Sequence, residues 1–248
     1  MTEEPTGLAA AALAEGERVA RRGRIREVVF GAQDGLLSTL ALVTGVRGAD
    51  ATRYAILVAG FAGALAGTIS MALGAYVAAK SQRDVYEAEL ENERRQLERR
   101  PHVEVIELAA IFEAEGLDYD AAQRAAHAIA TNPDVMLKTM AEKELGIPYE
   151  AGVTPLTDAT TMGVSFVIGA AVPVVPYLFL GTTAGLVLSV LLTLGTLFVM
   201  GVVKARLVGG HWARGGAEIA GLAGAAAALA YVVGTVIPNA LGIAPPAG

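Results

Sequence analysis

The chain contains no cysteine, which excludes disulfide bracing, thiolate metal sites and cysteine nucleophiles. Charge is scarce as well: Asp, Glu, Lys and Arg make up 18% of the 248 residues, against about a quarter in an ordinary soluble domain. The three histidines, His102, His127 and His211, are too dispersed to form a histidine-rich ligand box. No basic patch exists that could replace phosphate counterions, so a nucleic-acid partner is not expected. Phosphate-binding glycine loops, nucleophile triads and zinc-protease signatures are also missing, and the chain does not read as an enzyme.

Apolar residues fill the space left by charge. They account for 54% of the chain, and the mean hydropathy is +0.49. Five apolar windows, near 28–46, 54–79, 159–178, 183–203 and 217–236, approach or exceed the roughly 20 residues that cross a bilayer as a helix. The expected fold is all-α: a polytopic membrane protein with five transmembrane helices and a helical cytoplasmic insert. Its parts are an N-terminal arm (1–24), spans one and two (25–79), the insert (80–155), spans three to five (156–238) and a tail (239–248). Arg18, Arg21, Arg22, Arg24 and Arg26 precede the first span, and a second basic segment (204–214) separates the last two. With five spans both fall on one side, which places the N-terminus and the insert in the cytoplasm and the C-terminus outside. The membrane expected is the plasma membrane of a prokaryote.

Within the spans, Pro173 and Pro176 should bend or break the third. Gly60, Gly63, Gly67 and Gly74 bare one face of the second for close helix approach. Asp158 reads as a cap for the third span.

The insert is where acid collects. Between Lys80 and Glu150 lie 16 of the 25 acidic residues, against 9 basic ones. Four short helices are expected there, the first as a polar continuation of the second span, with Asp118 or Asp120 near the cap of the third. Glu87 with Glu91, Glu89 with Glu93, and Glu104 with Glu107 share helix faces and repel unless a cation lies between them. Carboxylate oxygens suit hard or borderline divalent ions, and Met140 beside Glu144 adds a thioether tolerable to a softer ion such as Fe(II). The plainer reading of the same run is a solvated charged face softened by Arg94, Arg95 and Arg99.

One carboxylate stands inside the first apolar window. Asp34, about two turns in, costs roughly 2.5 to 3.5 kcal/mol at a span centre and normally faces a cavity, a partner or an ion path. The plain alternative is a helix-start residue flanked by Gly31 and Gly35. Ser70 and Met71 lie midway along the second span, and a carboxylate facing a thioether would make a waypoint for a transition metal and a seat for a counter-moving proton.

In their order, Phe30-Gly31-Ala32-Gln33-Asp34-Gly35-Leu36, Ser70-Met71-Ala72-Leu73-Gly74-Ala75-Tyr76-Val77, Ser81-Gln82-Arg83-Asp84 and Glu144-Leu145-Gly146 resemble the vacuolar iron transporter family. The resemblance spans roughly residues 24–236. It implies a homodimer in the lipid bilayer that exports Fe(II), or Mn(II), from the cytoplasm in exchange for protons along a path at the dimer interface. No cofactor is permanently bound, since the metal is cargo. By likeness Asp34 and Met71 match the translocation carboxylate and methionine, with Ser70 beside them. Glu93, Glu104, Glu107, Met140 and Glu144 match the cytoplasmic metal cluster; the register of the glutamates from 87 to 93 is open by one turn, which keeps Glu89 in the set. Relatives commonly carry glutamate where this chain has Ala75, and a second methionine where it has Ala141. The competing function is a membrane-anchored metal sensor or buffer whose insert binds metal without transport.

Overall fold

A computed structural model describes residues 25–147, 154–207 and 210–242; the expected arm (1–24) and the end of the tail lie outside the described residues. Everything regular within them is helical. The elements are α1 (Ile25–Gly48), α2 (Arg53–Arg99), α3 (Pro101–Ala114), α4 (Tyr119–Ala130), α5 (Pro133–Lys143), α6 (Pro155–Val174), α7 (Pro176–Phe179), α8 (Thr182–Leu207) and α9 (Trp212–Ala240). Five of these, α1, α2, α6, α8 and α9, are long and apolar enough to cross a membrane. The chain divides into two compact units, with boundaries after Tyr76 and after Pro155.

In the first unit, α9 packs along α8 and α1, and α1 also meets α8. Small residues set how closely these helices cross. A Cβ added to Gly35 would strike the carbonyl of Phe166, and one on Gly169 would strike the carbonyl of Ala32, so α1 and α6 meet backbone to backbone. Gly60, Gly63 and Gly67 face Val174, Leu42 and Phe166, whereas nothing lies within 4 Å of Gly74. Three of the four span-two glycines therefore serve packing. Gly35→Leu is expected to separate α1 from α6, at a cost above the roughly 1 to 3 kcal/mol of ordinary overpacking, while Gly74→Ala is tolerated. Thermal unfolding of the two purified variants in one detergent checks this.

The third span breaks at its second proline. Pro173 is accommodated inside α6, its carbonyl accepting a buried bond from Ser189 Oγ at 2.8 Å. Pro176 opens α7 after a break at Val175. The last carbonyls of α7, left without helical donors where that helix stops, are met by Arg53: its Nε donates to Tyr177 O at 2.6 Å and its Nη2 to Leu178 O. Asp158 is not the cap expected, because α6 begins three residues earlier at Pro155. It lies in the first helical turn, where a carboxylate still opposes the helix dipole favourably.

The second unit takes up the polar end of α2 with α3, α4 and α5. With no glycine or proline between Gly74 and Pro101, α2 has no cause to stop at the end of its apolar stretch. After α3, Gly116 adopts φ +110° and Leu117 N donates to Phe112 O at 3.1 Å, a left-handed stop that glycine makes without strain. Asp118 caps α4 through Ala121 N at 2.8 Å. Asn132 caps α5 through Asp134 N and Val135 N, with Pro133 in the first turn. The three helices enclose Leu108, Ala109, Phe112, Ala122, Ala126, Met136 and Met140.

Candidate functional site

In the first unit a cavity of about 210 Å³ brings the first two spans together around one carboxylate. Asp34, Ser38, Thr39 and Leu42 come from α1, Gly63, Gly67, Ser70 and Met71 from α2, and Phe166 from α6. All three path residues expected from the sequence, Asp34, Ser70 and Met71, therefore line one space. Helical spacing explains the arrangement: Asp34 and Ser38 are four apart on α1, Gly63, Gly67, Ser70 and Met71 are three to four apart on α2, and such positions share a face. Met71 and Asp34 are half-buried and Ser70 is exposed. The space exists partly because Gly63 and Gly67 carry no side chain. A Cβ on either would run into Leu42 or Phe166.

Ser38 Oγ donates to the backbone carbonyl of Asp34 at 2.6 Å, so the Asp34 carboxylate is not held by that hydroxyl. The donor set of this cavity, one carboxylate, three hydroxyls and a thioether, offers oxygen and soft sulfur to an ion that has lost water. Sequence reasoning missed Ser38, Thr39 and Phe166. For Ser38 the signal was available as an i, i+4 partner of Asp34. Phe166 carried none, because its place depends on how α6 crosses α1.

In the second unit the carboxylates gather from three elements. Glu93 of α2 is 1% exposed and Glu104 of α3 is 3% exposed, an unusual degree of burial for glutamate. Glu93 Oε1 has no hydrogen-bond partner, and Oε2 accepts only a long bond from Gln96 Nε2 at 3.4 Å. Burial, then the charges of Glu144, Glu104 and Glu107, push the Glu93 carboxyl up to about 7. Glu104 is raised by burial and by Glu107, against a lowering by Arg100. Glu144 remains exposed as a residue, yet partial burial of its carboxyl and the charges of Glu107 and Glu104 raise it. A buried carboxylate without a partner is costly, and this group must hold either protons or a cation.

Four of the six insert residues expected as ligands, Glu93, Glu104, Glu107 and Glu144, thus act on one another. Met140, 0% exposed, is packed in the core formed by Leu108, Phe112 and Met136, one turn ahead of Glu144, the α5 C-cap. Glu89 is exposed one turn before Glu93 and is not among the charges acting on Glu93, Glu104 or Glu144. Among the described residues no three His, Asp or Glu side chains close on a common point as a metal site. Ionised carboxylates in one neighbourhood repel, and a cation between them would relieve that repulsion.

The model of the VIT family matches residues 25–235. The chain is 36% identical to "Vacuolar iron transporter 2" of Oryza sativa subsp. japonica over 186 residues, covering 75% of this chain and 76% of that protein. It is 33% identical to "Vacuolar iron transporter 1" of Arabidopsis thaliana over 216 residues, 87% and 86% of the two chains. "Protein CCC1" of Saccharomyces cerevisiae is 29% identical over 191 residues, 74% of this chain and 58% of the yeast protein. These relatives overturn the expected placement in a prokaryotic plasma membrane, since they are eukaryotic proteins and the two plant ones are vacuolar by name. The physical reason for the error is that hydropathy and loop charge specify a topology within a bilayer and carry no information about which membrane holds it.

Proposed function

Because the chain belongs to the VIT family, whose members are transporters rather than enzymes, we propose that it carries Fe(II), or alternatively Mn(II), out of the cytoplasm in exchange for protons. Metal transport across a membrane follows from the family; the ion, the counter-ion and the route are our reading. One observation carries it: Asp34, Ser70 and Met71, from two different spans, line a single cavity inside the apolar unit. A structural carboxylate has no need of such a space, whereas a carboxylate that alternately holds a dication and a proton does.

In this reading the insert collects metal. Glu93, Glu104, Glu107 and Glu144, with Met140 and Glu89 as further candidate ligands, close around a divalent ion, and the raised carboxyls of Glu93, Glu104 and Glu144 give up their protons to it. The ion then passes to Asp34, with Met71 as a soft ligand and Ser70 as an oxygen donor, and leaves when Asp34 takes a proton. The working form proposed is a homodimer. Val58, Phe61, Leu65, Ile69 and Leu73 of α2 are exposed, an apolar stripe beside the cavity residues that lipid or a second copy would cover.

Purified full-length protein in liposomes is expected to accumulate Fe(II) when an opposing proton gradient is imposed, and to alkalinise the compartment the protons leave. Absence of metal-dependent flux from folded, reconstituted protein would reject the transport reading. Stoichiometric metal binding without turnover would instead favour an anchored sensor or buffer.

A further inference from the structure

A second cavity, of about 400 Å³, lies at the end of the first unit where α8 stops and α9 begins; its lining shares no residue with the Asp34 cavity. Gln33 of α1, Lys204 of α8, and His211, Arg214, Glu218 and Leu222 at the start of α9 contribute to its wall. Lys204 and Arg214 are exposed, and among the described residues neither has an ion-pair partner, even though Glu218 faces the same space. The wall thus holds two cations against one carboxylate, an excess of one positive charge. His211, at the N-cap of α9, makes no side-chain cap bond, which leaves its imidazole available to the cavity it lines.

A guanidinium, an ammonium, an amide and an imidazole around one space match the oxygens of a phosphate group. The apolar part of the lining separates a lipid from a soluble anion. Ile219 and Leu222, the latter 68% exposed, supply that part of the wall on α9. A free phosphate would leave that apolar wall uncovered, whereas a phospholipid would satisfy both parts. Basic pockets between membrane helices recognise anionic headgroups on this principle.

We infer that this cavity binds the phosphate group of an anionic phospholipid from the adjacent leaflet, tying the α8–α9 junction to the bilayer. The inference is independent of the transported ion and stands or falls separately from it.

The test is native mass spectrometry of the detergent-purified full-length chain, titrated with phosphatidylglycerol, with phosphatidylcholine of the same acyl chains, and with inorganic phosphate. The wild type is expected to retain phosphatidylglycerol preferentially. Removing both cations in K204A/R214A should weaken that retention by about 25-fold, about fivefold for each basic residue, while R124A in the insert changes nothing. Glu218→Gln, which removes the opposing carboxylate, should strengthen it. Equal retention of the two lipids by the wild type would overturn the inference, as would equal losses in R124A and the double variant. Inorganic phosphate binding at this site in place of the lipid would overturn the lipid assignment. If K204A/R214A does not fold, Glu218→Gln decides: unchanged or weaker retention of phosphatidylglycerol rejects the site.

Discussion

Asp34→Asn is expected to reduce metal flux to the background of protein-free liposomes while leaving the chain folded. Asparagine has nearly the same shape, and the hydrogen bond given by Ser38 goes to the backbone carbonyl of residue 34, not to its side chain. Packing around α1 therefore does not depend on the charge. Transport does, in the reading above, because among the residues lining the cavity Asp34 is the one charged side chain. A dication that has shed water there finds otherwise only hydroxyls and a thioether. Loss of about 3 kcal/mol at the step where charge sits in apolar surroundings slows that step roughly a hundredfold.

The same substitution should abolish metal-driven proton movement, since the proposed proton seat and metal ligand are one group. Met71→Leu keeps the volume and removes only the soft ligand, so its loss should be smaller and greater for Fe(II) than for Mn(II). Liposome flux, pH recording and thermal unfolding of the same preparations measure each quantity. A folded Asp34→Asn protein that transports at the wild-type rate would remove the carboxylate from the mechanism.

Why Asp34 could be singled out from sequence, and Phe166 could not, shows where the information lies. The cost of a carboxylate in hydrocarbon is a property of one residue and its neighbours, readable from the apolar window around it. The five spans were legible for the same reason, as was the continuation of α2 into polar sequence without a helix breaker. Asp158 was misread because the start of α6 is set at Pro155, and proline in a first turn competes with Asp as a start signal. Phe166, Leu42 and the glycines opposite them form the cavity only through helix crossings. Those crossings depend on distant pairs such as Gly35 with Phe166 and Gly169 with Ala32. The insert carboxylates fall between these cases. Their i, i+3 and i, i+4 spacing was visible within each helix, whereas the burial of Glu93 and Glu104 required α2, α3 and α5 to be assembled. Nor did that spacing distinguish Glu93, which is buried, from Glu89 one turn earlier, which is exposed.

Metal binding by the insert is expected to weaken as the pH falls below about 7, and Glu93→Gln should remove most of that dependence along with much of the affinity. The Glu93 carboxyl, ordinarily near 4.5, is pushed to about 7 by burial and by Glu144, Glu104 and Glu107. Below that pH a metal must displace its proton, so affinity falls by about tenfold per pH unit for each proton released. Loss of a ligand should itself cost at least about tenfold in affinity. Stability of the metal-free protein runs the opposite way. Between pH 4.5 and 7 the folded state binds a proton at Glu93 that the unfolded chain does not, so stability declines as pH rises through that window. Above about 7 the buried carboxylate is ionised with Oε1 unpaired, and the strain is at its greatest. Glu93→Gln, neutral at every pH, should therefore unfold at a higher temperature than wild type at pH 8 without metal and show little difference at pH 4.5, with added Mn(II) narrowing the gap at pH 8 by stabilising the wild type more than the variant. Thermal unfolding of the full chain at the two pH values, with and without Mn(II), reads all these terms. A wild-type protein that gains stability from pH 5 to pH 8 in the absence of metal would contradict the protonated, cation-seeking state assigned to Glu93.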